Sequence, residues 1–299
     1  MVINYKAVGI KSMGIMDGKV CMVTGATSGI GFYTALEIAR MGGSVIIVGR
    51  DPTKCIASVD TIKNTSGNQS VEYLLADLSS QAQVQAIARE FYAYHDHLDV
   101  LVNNAGGFFL RRKLSEDGIE MTFALNHLAY FLLTILLLDA LKASLSARVI
   151  NVSSGSHLHK HLDFNDLQLA KFYNPVQAYG RSKLANILFT YEFANRMTDT
   201  HITANAMTPG MVATDIWKKV NRWLTPMIYP VLQRIGQTPL EGAQTCIYLA
   251  TSPDVEGVTG KYYAYLHPIQ SGLNTYDVTT AQRLWQMSLE LVGLGTSHS

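Results

Sequence analysis

The sequence predicts an α/β fold, a doubly wound parallel sheet of about seven strands with helices on both faces. Three observations carry that prediction. Short apolar runs alternate with amphipathic stretches along almost the whole chain. The runs are continuous rather than alternating with polar residues, which is the pattern of strands buried on both faces. A glycine-rich turn, TGATSGIG (residues 24–31), stands between the first apolar run and the first helical stretch.

Taken in order, KVCMVTG (19–25) is a strand and GIGFYTALEIARMG (29–42) a helix closed by glycine. SVIIVG (44–49) is the second strand, followed by a helix over 52–64 that the turn residues SGNQ end. VEYLLA (71–76) and SQAQVQAIAREFYAYH (80–95) form the third strand and helix. LDVLVNNAG (98–106) is the fourth strand, a long helix covers roughly 116–143, and ARVINVSS (147–154) is the fifth strand. A helix at 176–197, a strand ITANAMTP (202–209), a helix PLEGAQTCIYLAT (239–251), a strand GKYYAY (260–265) and a helix near 278–293 complete the chain. Parallel strands need crossovers, and right-handed crossovers give a Rossmann-type arrangement. No repeat or linker interrupts the pattern, so 18–299 reads as one domain with 1–17 as an N-terminal appendage.

Composition excludes several function classes. Of 299 residues, 48% are apolar, enough for one large core, while 16% are charged and the net charge is +1. Nothing here suits nucleic acid. Cys21, Cys55 and Cys246 form no CxxC pair, which argues against disulfides or zinc and fits a reducing compartment. Cys21 falls in the first strand and reads as packing. The most apolar run, LAYFLLTILLL (128–138), covers only about half of the ~20 residues that cross a bilayer, so no transmembrane segment is expected.

The glycine turn follows a strand and opens a helix, the context in which such a turn binds phosphate. Helix N-termini carry unpaired N–H groups and partial positive charge. Gly25 permits the turn, while Gly29 and Gly31 remove side chains where backbone must come close. Tyr179 and Lys183 are four apart on a helical segment and therefore share a face. An ammonium beside a phenol favours phenolate and brings its pKa toward the working range. Ser154 ends the fifth strand, where open α/β sheets bind ligands.

In order along residues 18–265, TGATSGIG, NNAG (103–106), NVSSGS (151–156), YGRSK (179–183) and TPG (208–210) resemble the motifs of the short-chain dehydrogenases/reductases. The stretches ALNHLAYFLLT, LDFNDLQ, AYGRSKLANILFTYEFANR and AQRLWQMSLELVGL resemble the retinol dehydrogenase-like branch. The resemblance implies Ser154, Tyr179 and Lys183 as catalytic residues, with Asn126 completing a proton relay. Ser153 is the other candidate serine. It also implies a nicotinamide coenzyme on Gly25, Thr27, Ser28, Gly29, Ile30, Gly31, Arg50, Asp77, Leu78, Asn104, Ala105, Gly106, Tyr179, Lys183, Pro209, Gly210, Val212 and Thr214, with Asn103 beside them.

The second strand ends in Gly49, where an NAD-binding protein usually has an acid, and Arg50 suits the 2′-phosphate of NADP(H). Asp51 would restore the acid after a slip of one residue, so NAD(H) is the alternative. The expected activity is hydride transfer between NADP(H) and a lipophilic aldehyde or ketone and its alcohol. An NAD-dependent, retinol-like alcohol dehydrogenase and a nucleotide-binding regulator without turnover are the other readings. The resemblance further implies a homodimer through the helices at 116–143 and 176–197, and an apolar lid over substrate near 215–238. Residues 1–19 are too short and mixed for the membrane anchor of many members of that branch, so a cytoplasmic location is expected. His157, His159 and His161 alternate after Ser154, but no second cluster accompanies them and no metal is expected.

Overall fold

A computed structural model describes residues 14–210 and 237–295. Val212, Thr214 and nearly all of the expected lid lie outside the described residues. The strands are β1 (Val20–Thr24), β2 (Ser44–Gly49), β3 (Val71–Leu75), β4 (Val100–Asn103), β5 (Ala147–Val152), β6 (Ile202–Met207), β7 (Lys261–Ala264) and β8 (His267–Ile269). They form one sheet in the order β3-β2-β1-β4-β5-β6-β7-β8. The first seven are parallel and β8 runs antiparallel to β7.

The strand order reverses between β1 and β4, which opens a crevice at the carboxyl end of the sheet. The glycine turn after β1, the NNAG segment after β4, the serines after β5 and Pro209 after β6 all emerge along that edge.

The helices are α1 (Gly29–Arg40), α2 (Pro52–Ser66), α3 (Gln81–Tyr94), α4, α5 (Leu138–Ala143), α6 (Pro175–Arg196), α7 (Pro239–Thr251) and α8 (Val278–Leu291). Here α4 comprises Met121–Phe123, a π-helical turn Ala124–Leu128 and Ala129–Leu136. The helix expected over 116–143 is thus shorter and broken. Glu120 starts it by accepting from the backbone N–H groups of Thr122 and Phe123, and Leu137 (φ −94, ψ 9) interrupts it.

Three further differences have physical causes. Strand β8 follows a two-residue turn whose residues, Tyr265 and Leu266, have φ 51 and 69 without any glycine or asparagine. The usual hairpin signal is therefore missing from the sequence. Strand β3 keeps only Val71 and Leu74 buried because it is an edge. Residues 14–17, expected in the appendage, pack on the body: Met16 is buried and its N–H donates to Met41 O at 3.0 Å.

Two apolar layers cover the sheet. In one of them Trp285 of α8 lies against Phe131 of α4 and against Phe189 and Phe193 of α6, with ring centroids 5.1, 6.0 and 6.4 Å away. Helix α8 therefore covers the apolar face of α4 and α6 from within the same chain. Nothing in the local sequence signals this packing, because α8 is remote in sequence from both helices.

Candidate active site

At the end of β1, Thr24 Oγ1 accepts from the N–H groups of Asn104 and Ala105 at 2.8 and 3.1 Å. Asn104 Nδ2 donates to Thr24 O and Gly25 O at 2.8 and 3.2 Å. These bonds seat NNAG on the glycine turn. Two of the turn's glycines serve that seating. A Cβ on Gly25 (φ +65) would lie 2.8 Å from Ala105 Cα, and one on Gly31 would lie 2.5 Å from Asn104 Nδ2 and 2.7 Å from Gly25 O.

Gly29 differs, since it has φ +61 and an added Cβ would meet nothing within 4 Å. It faces open space at the start of α1. Ser28 makes no side-chain cap there, and the first turn holds no acid. The N–H groups of this helix start are thus left for an anion, and the cradle fits a dinucleotide's phosphates. Ile30 turns its side chain away, against Ala243 and Ile247. Leu78 is likewise buried in the core.

Beyond the turn, a Cβ on Gly49 would lie 2.6 Å from Cys55 Sγ and 2.8 Å from Thr27 Cγ2, so no acidic side chain fits there. Asp51 accepts from Lys54 N at 3.1 Å as the N-cap of α2, which engages the acid that could have replaced it. Arg50 is two-thirds exposed, its Nη1 3.8 Å from Asp77 Oδ2. The other oxygen of Asp77 accepts from Ser79 N and Oγ at 3.0 and 2.7 Å.

Across the crevice, Asn126 sits in the π-helical turn of α4. Its Oδ1 accepts from Gly107 N at 2.8 Å, and its Nδ2 donates to Gly107 O and Ser182 Oγ at 3.0 Å each. The hydroxyl of Ser153 is buried and donates to Lys183 O at 2.8 Å. That leaves Ser154 as the partly exposed serine, whose hydroxyl donates to Ser156 Oγ and accepts from Ser156 N at 3.2 Å each. Lys183 Nζ donates to Val152 O at 2.8 Å and stands over the rings of Tyr130 and Tyr179, 5.5 and 5.8 Å from their centroids. Gly106 fits between them: its Cβ would lie 3.3 Å from Asn126 Oδ1 and 3.7 Å from Lys183 Nζ. The structure therefore brings Asn126, Ser154, Tyr179 and Lys183 to one end of the crevice, with the ring of Phe108 5.6 Å from that of Tyr179. Gly210 (φ +76) and Pro209 follow β6 at the same edge.

A model of the short chain dehydrogenase family matches residues 19–225. The chain belongs to that family. Its relatives include mouse retinol dehydrogenase 14, 39% identical over 97% of this chain and 91% of its own length. Human polyprenol dehydrogenase is 41% identical over 92% of this chain and 86% of its own. A crystal structure of an uncharacterized protein from Mycobacterium Paratuberculosis superposes with a TM-score of 0.75 at 31% identity, covering 93% of this chain and 94% of that one. These matches place the chain in the retinol dehydrogenase-like branch of a family of NAD(P)(H)-dependent oxidoreductases.

For this short-chain dehydrogenase, burial sets the charge state of the site. It pushes the Tyr179 phenol up from its ordinary 10, against a smaller downward pull from the nearby Ser154 hydroxyl. It pushes Lys183 down from 10.5 to about 7. The lowering of Tyr179 expected from the ammonium does not appear, because burial dominates the shift of both groups.

Some supports were not visible in sequence. Gly107 pairs with Asn126 on both of its backbone groups. Gly180, inside YGRSK, admits the loop after Ser154, since a Cβ there would lie 2.6 Å from Ser156 O. Of the alternating histidines, His157 is buried while His159 (φ 57) and His161 are exposed. Among the described residues no group of three His, Cys, Asp or Glu could hold a metal, and no helix is long and apolar enough to cross a membrane.

Proposed function

We propose that this short-chain dehydrogenase reduces lipophilic aldehydes or ketones with NADPH. The observation that carries the reading is a half-buried phenol beside a serine hydroxyl and a buried lysine at the mouth of a phosphate cradle. When bound, the nicotinamide supplies the hydride. Ser154 Oγ donates to the carbonyl oxygen and fixes its position. Tyr179 Oη gives that oxygen its proton, and a pKa raised by burial keeps the phenol stocked with one at neutral pH. Lys183 and Asn126 hold the phenol's surroundings polar where Gly106 lets backbone come close.

Closure of the Gly49 site by Thr27 and Cys55, and the engagement of Asp51 as a cap, favour NADPH. Arg50 then meets the 2′-phosphate. The second reading, use of NAD(H), rests on Asp77 drawing on Arg50 from 3.8 Å. The names of the relatives, retinol and polyprenol dehydrogenases, favour a lipophilic substrate. A homodimer through α4 and α6 would have to form around α8, and light scattering at micromolar concentration measures that mass. Turnover of n-alkanals from C2 to C10 with NADPH and NADH tests the whole reading. Rising kcat/KM with chain length and faster turnover with NADPH support it. Preference for small polar carbonyls, or for NADH, overturns the corresponding part.

A further inference from the structure

His157 is 2% exposed, yet both of its ring nitrogens are engaged. Nδ1 lies 2.7 Å from the carbonyl oxygen of Ser154, and Nε2 lies 2.9 Å from the backbone N of Gly272. A carbonyl can only accept and a backbone N–H can only donate. The ring must therefore be neutral, with its hydrogen on Nδ1 and a lone pair on Nε2. Burial favours the same neutral form, moving the imidazole below its ordinary 6.5.

The segment that His157 grips is itself fixed. Ser271 Oγ is 2.8 Å from Tyr191 Oη of α6 and 2.5 Å from Thr275 Oγ1. Asn274 Nδ2 donates to Lys160 O at 2.7 Å. The Tyr262 ring of β7 packs edge-on against the imidazole, 5.1 Å between centroids. On the other side of Ser154, the N–H of Ser153 donates to Met207 O of β6 at 2.7 Å. The backbone of Ser154 is thus pinned from both sides, by β6 before it and by His157 after it.

We propose that His157 is a positioning residue for Ser154: it clamps the Ser154 carbonyl to the 271–276 segment and so aims the serine hydroxyl at the reacting oxygen. The inference rests on the role given to Ser154 above. The two bonds can be separated chemically. In His157→Asn the side-chain Nδ2 occupies the position of the ring's Nδ1 and can still donate to Ser154. In His157→Gln the side-chain Oε1 reaches the position of Nε2 and can still accept from Gly272. Gly272→Ala is a gentler probe. Its φ of −59 suits alanine, and the new Cβ would lie 3.3 Å from His157 Cδ2, displacing the ring while deleting nothing.

Parent and variants are compared in the full chain with decanal and NADPH. For His157→Gln, kcat should fall roughly 100-fold, the cost of about 1 Å of misplacement at a reacting group. For His157→Asn it should fall less than about 10-fold, the worth of one ordinary hydrogen bond. NADPH Kd should stay at the parental value in both, because the phosphate cradle lies across the crevice. Equal kcat for the two variants, or parental kcat in His157→Gln, overturns the clamp. Should either variant fail to fold, Gly272→Ala decides, and parental kcat there counts against the proposal. Imidazole 15N shifts read the tautomer without any turnover: an Nδ1–H neutral ring is expected at pH 7, and Nε2–H or imidazolium overturns the clamp. A parent that reduces no carbonyl would sink the proposed function and leave the clamp to that NMR result.

Discussion

At the end of β1, Gly25 and Gly31 come so close to Ala105 and Asn104 that a Cβ would lie 2.8 and 2.5 Å from them. At the end of β5 the site is assembled differently, from side chains of three separate segments. Asn126 comes from α4, Tyr179 and Lys183 from α6, Ser154 from the strand end, and His157 ties that end to a segment 115 residues further on. The first region works by removing side chains and exposing backbone. The second works by adding them, each held by another. A change in the first region should therefore act through backbone fit and coenzyme affinity, and a change in the second through kcat.

The sharpest way to break this contrast is Tyr179→Phe. It should lower kcat by about 10²–10⁴-fold, the usual worth of a general acid, with NADPH Kd unchanged by fluorescence titration. Near-parental turnover would show that another group supplies the proton. Gly31→Ala should do the reverse. Its Cβ would press on Gly25 O, so we expect a loss of roughly 1–3 kcal/mol in urea unfolding together with weaker coenzyme binding. Parental stability and affinity would mean that the turn yields easily.

Arg50→Ala should weaken NADPH about 10-fold and leave NADH unaffected, since a charge-assisted bond contributes about 1.5–3 kcal/mol. Equal affinities for the two coenzymes in the parent would remove the basis for the choice. A further prediction concerns pH. Burial takes Lys183 from 10.5 to about 7, so between those values the unfolded chain holds a proton that the folded chain does not. Folding then becomes more favourable as pH rises through that window. The parent should gain on Lys183→Met in urea midpoint between pH 7 and about 9.5, and parallel curves would show that Lys183 keeps its proton.

Local patterns settled a good deal of this protein before any tertiary contact was known. The alternation of apolar runs and amphipathic stretches specified the strand–helix order, because a strand buried on both faces must be continuously apolar. TGATSGIG and YGRSK located the two sides of the crevice, since both are short-range geometry: a turn needing left-handed backbone, and two side chains one helical turn apart. Tertiary structure decided what depends on residues far apart in sequence. It gave Gly25 and Gly31 to the packing of NNAG, and Gly29 to open space. It chose Ser154 over Ser153 because Lys183 O takes the Ser153 hydroxyl. It also reversed the expected shift of Tyr179, because burial is a property of the whole assembly and a four-residue spacing says nothing about it. Likewise Trp285 and Gly272 look ordinary in the sequence, and only the fold brings one onto α6 and the other to the ring of His157.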